Sequence, residues 1–217
     1  MTKHPRDGSK CCGTGHAWLL LKGEGSLIEG GHSGELGELK PCYADGVCQK
    51  IEEREENPAS YLWEGLDDGF FQRGAGGHYP TFAIKKELSK EQHEAIITFI
   101  KAYPFRDYSL TRRQCVSFVL QVAALAGLEL SADVTLPISS EMEISGRRCR
   151  LWSDPQYAAV TFASPDRLER AFREAVIKGE VEDATSWYRC RFYKSHYRET
   201  IFRFPVRTLR LIRQKLH

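Results

Sequence analysis

A cysteine that opens an apolar helix, a histidine that opens a buried strand and a carboxylate on the paired strand are the parts of a thiol hydrolase. Cys115, His16 and Glu29 have these surroundings in the sequence. Cys115 is the fourth residue past Thr111, whose stretch Thr111-Arg112-Arg113-Gln114 has a capping-box pattern. That position predicts the first turn of a helix, where partial positive charge and free N–H groups favour a thiolate. Arg112 and Arg113 add positive charge nearby. The expectation is therefore a thiol pKa below its ordinary value, a competent nucleophile, and neighbouring amides able to donate to a developing oxyanion. Such a nucleophile needs a base and a third polar group to hold the imidazole tautomer. His16, preceded by Gly13-Thr14-Gly15, is the base expected; a core histidine would be an odd choice at that place. Glu29 lies thirteen residues on, and a hairpin turning near Gly23–Gly25 is expected to bring it beside His16. The competing expectation for Cys115 is a core thiol packed like Val119 and Val122.

The elements that must position these residues follow from local patterns. His16 to Leu21 reads as a buried strand with His16, Trp18 and Leu20 on one face and the opposite residues in the core. Lys22-Gly23-Glu24-Gly25 is a turn, and Ser26 to Glu29 the second strand. Gly30 to Ala44, rich in glycine, predicts a loop, and Val47 to Glu53 a third strand with an acidic end that could also be helical. Gly65 to Tyr79 predicts irregular backbone and Thr81 to Ile84 a strand. Ser89 with Gln92 forms a capping box before Ile96, Ile97 and Ile100, and Pro104 ends that helix. Cys115 to Ala126 is a nearly all-apolar helix stopped by Gly127, as expected of a helix buried at the centre of a fold. Leu128 to Glu143 has no regular period. Tyr157 to Ala163 predicts a strand, Ser164-Pro165-Asp166 caps a helix through Lys178, and Gly179 stops it. Trp187 to Tyr193 and Tyr197 to Phe204 predict a final hairpin, followed by a basic helix from Val206 to Leu216.

The 217 residues, 41% hydrophobic and 28% charged with a net charge of +2, suit one globular domain with a modest appendage. They exclude a disordered chain and a disulfide-built miniprotein. No apolar stretch is long enough for a transmembrane helix, and no secretory signal precedes the first strand, so synthesis in a cytoplasm is expected. Seven cysteines leave at least one thiol unpaired, and without a Cys-x-x-Cys pair neither a metal nor any other cofactor is expected. Charge is uneven: twelve acidic residues lie between Glu24 and Phe70, and nine basic residues between Thr185 and His217. The basic end, with Trp187, Tyr188, Phe192, Tyr193 and Tyr197 interleaved, lacks a nucleic-acid signature and reads as a solvated strand pair and helix.

Gly15-His16-Ala17-Trp18-Leu19-Leu20 followed by Leu27-Ile28-Glu29-Gly30 resembles the histidine and glutamate strands of permuted NlpC/P60-like (papain-like) proteins. Tyr108 to Val119, with Cys115 at its centre, resembles their nucleophile helix, and Val160 to Pro165 is a loose echo. The histidine precedes the cysteine, as in the permuted branch. The resemblance covers about residues 13–30 and 103–127. It implies an α+β fold, a circularly permuted papain-like core with the nucleophile helix packed on an antiparallel sheet. A leader over 1–13 would precede a single catalytic domain over 14–217, with an insertion at about 31–86 and a basic extension at about 185–217.

The activity implied is hydrolysis of amide bonds through an acyl-thioester. Cys115 would be the nucleophile, His16 the base and then the acid, and Glu29 the orienting group; His32 competes for that third role. Tyr108 is implied as an oxyanion or substrate-positioning residue. His78, beside a glycine-rich stretch, is a pocket candidate, whereas His4, His93, His196 and His217 read as surface residues. Peptidoglycan peptides are the substrate class expected, and the missing secretory signal implies either a cytosolic substrate or delivery by a specialised secretion machine. The second would make the protein an antibacterial effector that acts in a target periplasm and is countered by an immunity protein. A thiol hydrolase or acyltransferase on lipid or protein substrates, a non-catalytic interaction module, and nucleic-acid binding through 185–217 are the alternatives.

Overall fold

Antiparallel pairing of two short strands organises the region around His16. The structure, a computed structural model, describes residues 15–23, 25–76, 78–144 and 146–193. Strand β1 (Leu19–Gly23) pairs with β2 (Ser26–Ser33), Leu19 opposite Gly30 and Leu20 opposite Glu29. Gly25, at φ 72°, supplies the left-handed backbone that the tight turn requires. Alternation sends Leu19, Leu21 and Ile28 into the core. The opposite face carries Trp18, Leu20 and Glu29.

The next elements depart from the local patterns. Strand β2 continues to Ser33, through residues expected to form a loop. Gly30 and Gly31 belong there because the chain is crowded: a Cβ would fall 2.3 Å from the Gln72 carbonyl oxygen at the first and 2.6 Å from that of Ala17 at the second. Val47–Glu53 is not a strand; it falls in and just beyond helix α1 (Tyr43–Glu52). Tyr43 and Gly46, three apart on one helical face, are buried, and a Cβ at Gly46 would sit 2.0 Å from the Tyr61 ring. A single-turn pair of 3₁₀ geometry follows at Pro58–Trp63. The third strand of the sheet is instead β3 (Phe70–Arg73), within the segment expected to be irregular, with His32 opposite Phe71. Of the strand expected at Thr81 to Ile84, only Ile84 is paired, in β4 (Ile84–Lys85).

Helix α2 (Lys90–Ala102) begins as the sequence predicts, with Gln92 N–H donating to Ser89 Oγ at 3.2 Å and the Ser89 amide donating back to Gln92 Oε1 at 3.0 Å. Ile96 anchors it in the core. Helix α3 (Cys115–Leu125) buries Cys115, Val116, Phe118, Val119 and Ala123. Full burial of side chains such as Val116 and Phe118 contributes roughly 1.5–3 kcal/mol each. It ends in a Schellman motif: Leu128 N–H donates to the Ala123 carbonyl and Gly127 N–H to that of Ala124, both at 2.9 Å, with Gly127 at φ 74°.

Beyond α3 the aperiodic stretch holds β5 (Asp133–Pro137) and β6 (Glu141–Ile144); β6 pairs with β7 (Arg147–Arg150). Strand β8 (Ala159–Ala163) pairs with β5, and α4 (Pro165–Ile177) follows, with Pro165 in its first turn. After β9 (Glu182–Asp183), partner of β4, residues 185–193 form helix α5, where the sequence pattern predicts the first strand of a hairpin. Tyr188, Arg191 and Phe192 recur at helical spacing and turn inward while Trp187 stays exposed. That face covers Trp18 and Glu29. Mixed helix and antiparallel sheet make this an α+β fold. The expected leader over 1–13, strand from Tyr197 to Phe204 and helix from Val206 to Leu216 lie outside the described residues.

Candidate active site

Helix α3 does not start at Thr111. Residues Ser109 to Arg113 close on themselves, the Ser109 amide donating to the Arg113 carbonyl at 2.7 Å and the reverse bond measuring 2.9 Å. The N-cap is Gln114, whose Oε1 accepts from the Val116 amide at 2.6 Å, with Ser117 Oγ accepting from the Gln114 amide at 2.8 Å. Cys115 is therefore the first helical residue. Its thiol donates to Gln114 Oε1 at 3.3 Å, and the amide of Ala17, the residue after His16, acts on its sulfur. Gln114 Nε2 donates to the Ala163 carbonyl oxygen, tying the helix start to β8.

The thiol is not acidified. Burial raises the Cys115 pKa above its ordinary value, while the amides of Ala17, Val116 and Cys115 itself lower it and only partly compensate. The helix-terminal effect expected from the sequence is present, and desolvation outweighs it. The two arginines add little: Arg112 is exposed, and Arg113 is paired with Asp107.

His16 is 5% exposed and its Nε2 has no hydrogen-bond partner among the described residues. Burial first, then His78 and His32, lower its pKa to about 3, so the ring is neutral at ordinary pH. It stacks on Trp18 with centroids 5.7 Å apart and planes at 21°, and lies 5.0 Å from the His78 ring. No hydrogen bond joins it to Cys115 among the described residues.

The two candidates for its orienting group point elsewhere. Glu29 pairs across the ladder with Leu20 rather than His16; its carboxylate accepts from the Tyr188 hydroxyl and pairs with Arg191 at 3.2 Å. The short turn sets that register, four residues away from the one expected. His32, with no exposed surface, stands on the other face. Its Nε2 lies 2.9 Å from the Phe105 carbonyl oxygen, which can only accept, so Nε2 carries the proton and Nδ1 accepts from Tyr103 Oη at 3.3 Å. Both nitrogens are thus occupied. Burial lowers its pKa to about 4 against the opposing Phe105 bond.

Tyr108 packs edge-on to His32, and a Cβ at Gly34 would fall 2.2 Å from its ring. Burial, reinforced by Cys115, raises its pKa well above the ordinary value, so its hydroxyl stays a proton donor. A cleft of about 270 Å³ opens at the start of α3, lined by Leu110, Thr111, Arg112, Gln114 and Ser117 among others. It reaches Gln114, the residue bonded to the thiol. His93, expected at the surface, is half-buried against Gly23. Gln114, Tyr103 and Tyr188 are the site residues that sequence reasoning missed. Only Gln114 carried a signal, as the residue before the cysteine in a cap motif.

Among the described residues Cys42, Cys48, Cys115, Cys149 and Cys190 are free thiols, and no three ligating side chains stand close enough to hold a metal ion. No described helix is long and apolar enough to cross a membrane. Neither family models, nor curated proteins, nor solved structures give a match to this chain.

Proposed function

We propose that the protein is a cysteine hydrolase of the permuted NlpC/P60-like kind, with Cys115 as nucleophile and His16 as base. One observation carries this reading: Cys115 begins a buried helix against the amide of Ala17, the residue that follows a buried histidine whose Nε2 has no partner among the described residues. Buried imidazole nitrogens ordinarily find a partner, and an unmet one at a nucleophile is a group held for a proton.

Both groups rest neutral, which favours proton transfer during attack over a standing thiolate–imidazolium pair. The thiol proton passes to His16 Nε2 as sulfur bonds to the amide carbonyl carbon. The proton then goes to the departing amine as the C–N bond breaks, leaving a thioester. Water attacks that carbon, gives a proton to His16, and the C–S bond breaks with the thiol restored. Tyr108 is the proposed donor to the oxyanion, and the field of the α3 N-terminus acts in the same sense. Peptide amides of peptidoglycan are the proposed substrate, with delivery by a specialised secretion machine and an immunity protein as the accompanying proposals.

The test is incubation of wild type and Cys115→Ala with purified peptidoglycan, followed by mass spectrometry of the released material. New termini at one type of amide bond, absent with Cys115→Ala, are expected. Identical products from both would remove the wall substrate. Alkylation of Cys115 at a rate insensitive to His16→Ala would remove the pairing itself.

A further inference from the structure

We propose that Glu29 is a positioning residue that acts on His16 through Tyr188 and Trp18, so that ring packing orients the imidazole where a direct carboxylate bond is absent. The inference rests on the reading of His16 as the base.

The donors and acceptors along this path have one consistent assignment. A carboxylate only accepts, so the Tyr188 hydroxyl donates its single proton to Glu29 Oε1. The indole N–H only donates, so Trp18 Nε1 donates to Tyr188 Oη, at 2.6 Å. Arg191 holds the second carboxylate oxygen at 3.2 Å. Tyr188 is 5% exposed and comes from α5, far away in sequence, so the bridge exists only when α5 lies over the hairpin. The indole held in this way is the ring stacked on His16, and His78 flanks the imidazole as well.

The arrangement has a chemical consequence. A carboxylate bonded directly to His16 would favour imidazolium and hold the proton there. Glu29 spends its charge on Tyr188 and Arg191, so the rings fix the plane of His16 while its neutral form persists. Positioning and protonation are separated. His32 cannot supply the same service, because its two nitrogens are bonded to Phe105 and Tyr103.

The experiment follows the His16 imidazole C–H resonances by NMR in histidine-labelled protein, assigned by their loss in His16→Ala, between pH 7 and 5. In wild type His16 does not titrate over this range. Tyr188→Phe removes the bridge, and Glu29→Gln, an isostere at a half-buried position, weakens it. In both, His16 is expected to begin titrating within this range, its midpoint raised from about 3 by about two units or more toward the ordinary histidine value. The pH profile of Cys115 alkylation should move with it. Trp187→Phe, at an exposed neighbour on α5, should leave the resonance unchanged. A purely structural role for Tyr188 would lower thermal stability without moving the His16 titration in Glu29→Gln, and that result overturns the proposal. If instead Cys115 is alkylated at a rate insensitive to His16→Ala while the titration shifts as expected, the catalytic reading falls and the coupling stands.

Discussion

The two faces of the β1–β2 hairpin each hold a buried histidine, and the histidines differ in what their nitrogens do. On the inner face His32 bonds Phe105 with one nitrogen and Tyr103 with the other, in a cage that includes Tyr108. On the outer face His16 is also buried, but its Nε2 has no partner among the described residues and the rings of Trp18 and His78 lie against it. A satisfied histidine ties β2 to the segment before α3. An unsatisfied one costs stability, and that cost is expected where a group is kept for chemistry. Burial therefore does not tell the two histidines apart; hydrogen-bond completeness does.

The comparison can be broken most directly by swapping its members. His16→Ala should lower turnover by about 10²–10⁴-fold with the fold kept, read as initial rates on peptidoglycan beside far-UV circular dichroism. His32→Ala should act on stability instead, by about 3 kcal/mol in urea denaturation, from lost packing and from leaving the Phe105 carbonyl unpaired. Equal stability losses in the two variants, or loss of turnover without unfolding in His32→Ala, would erase the distinction.

Acid sharpens it. In the unfolded chain both rings take up a proton near pH 6.5, by their ordinary value. In the fold they stay neutral down to about 3 for His16 and about 4 for His32. The unfolded state then binds more protons throughout that window, so stability falls as pH drops from 6.5 toward 4. Urea midpoints at pH 7, 5.5 and 4 should decrease in that order, and His16→Ala should flatten the decline. A midpoint independent of pH would contradict the burial of both neutral rings.

The smallest effect concerns the helix that carries Cys115. Gln114→Ala should cost about 1 kcal/mol as loss of an N-cap, whereas Thr111→Ala should cost well under that. The reverse order, measured by the same urea titrations, would return the helix start to Thr111.

Much of this organisation is legible locally. The Ser89–Gln92 box, the apolar run after Cys115 with its Gly127 stop, and the Pro165 start of α4 are each encoded within a few residues, and each appears as expected. The failures share a cause. Gly30 and Gly31 look like loop residues, yet they are glycine because Gln72 and Ala17, distant in sequence, pack too close for a Cβ. Trp187 to Tyr193 reads as a strand, but Tyr188 and Arg191 meet Glu29 from a helix over 185–193. Thr111 suits a cap by residue type and Gln114 does not, yet the Ser109–Arg113 turn delays the helix start to Gln114.

The sequence by itself determined the candidate nucleophile and base, since a cysteine opening an apolar helix and a histidine just before an apolar strand are local facts, although the strand starts at Leu19 and not at His16 as the pattern predicts. Tertiary structure decided their electrical state and their company. Desolvation depends on everything packed around a group, so Cys115 has its pKa raised where the helix start alone would lower it. Hydrogen bonding depends on register and on chain that returns from far away, so Glu29 reached Tyr188 and Arg191 rather than His16. Local patterns set which residues can do chemistry, and long-range burial and pairing set the form in which they stand ready.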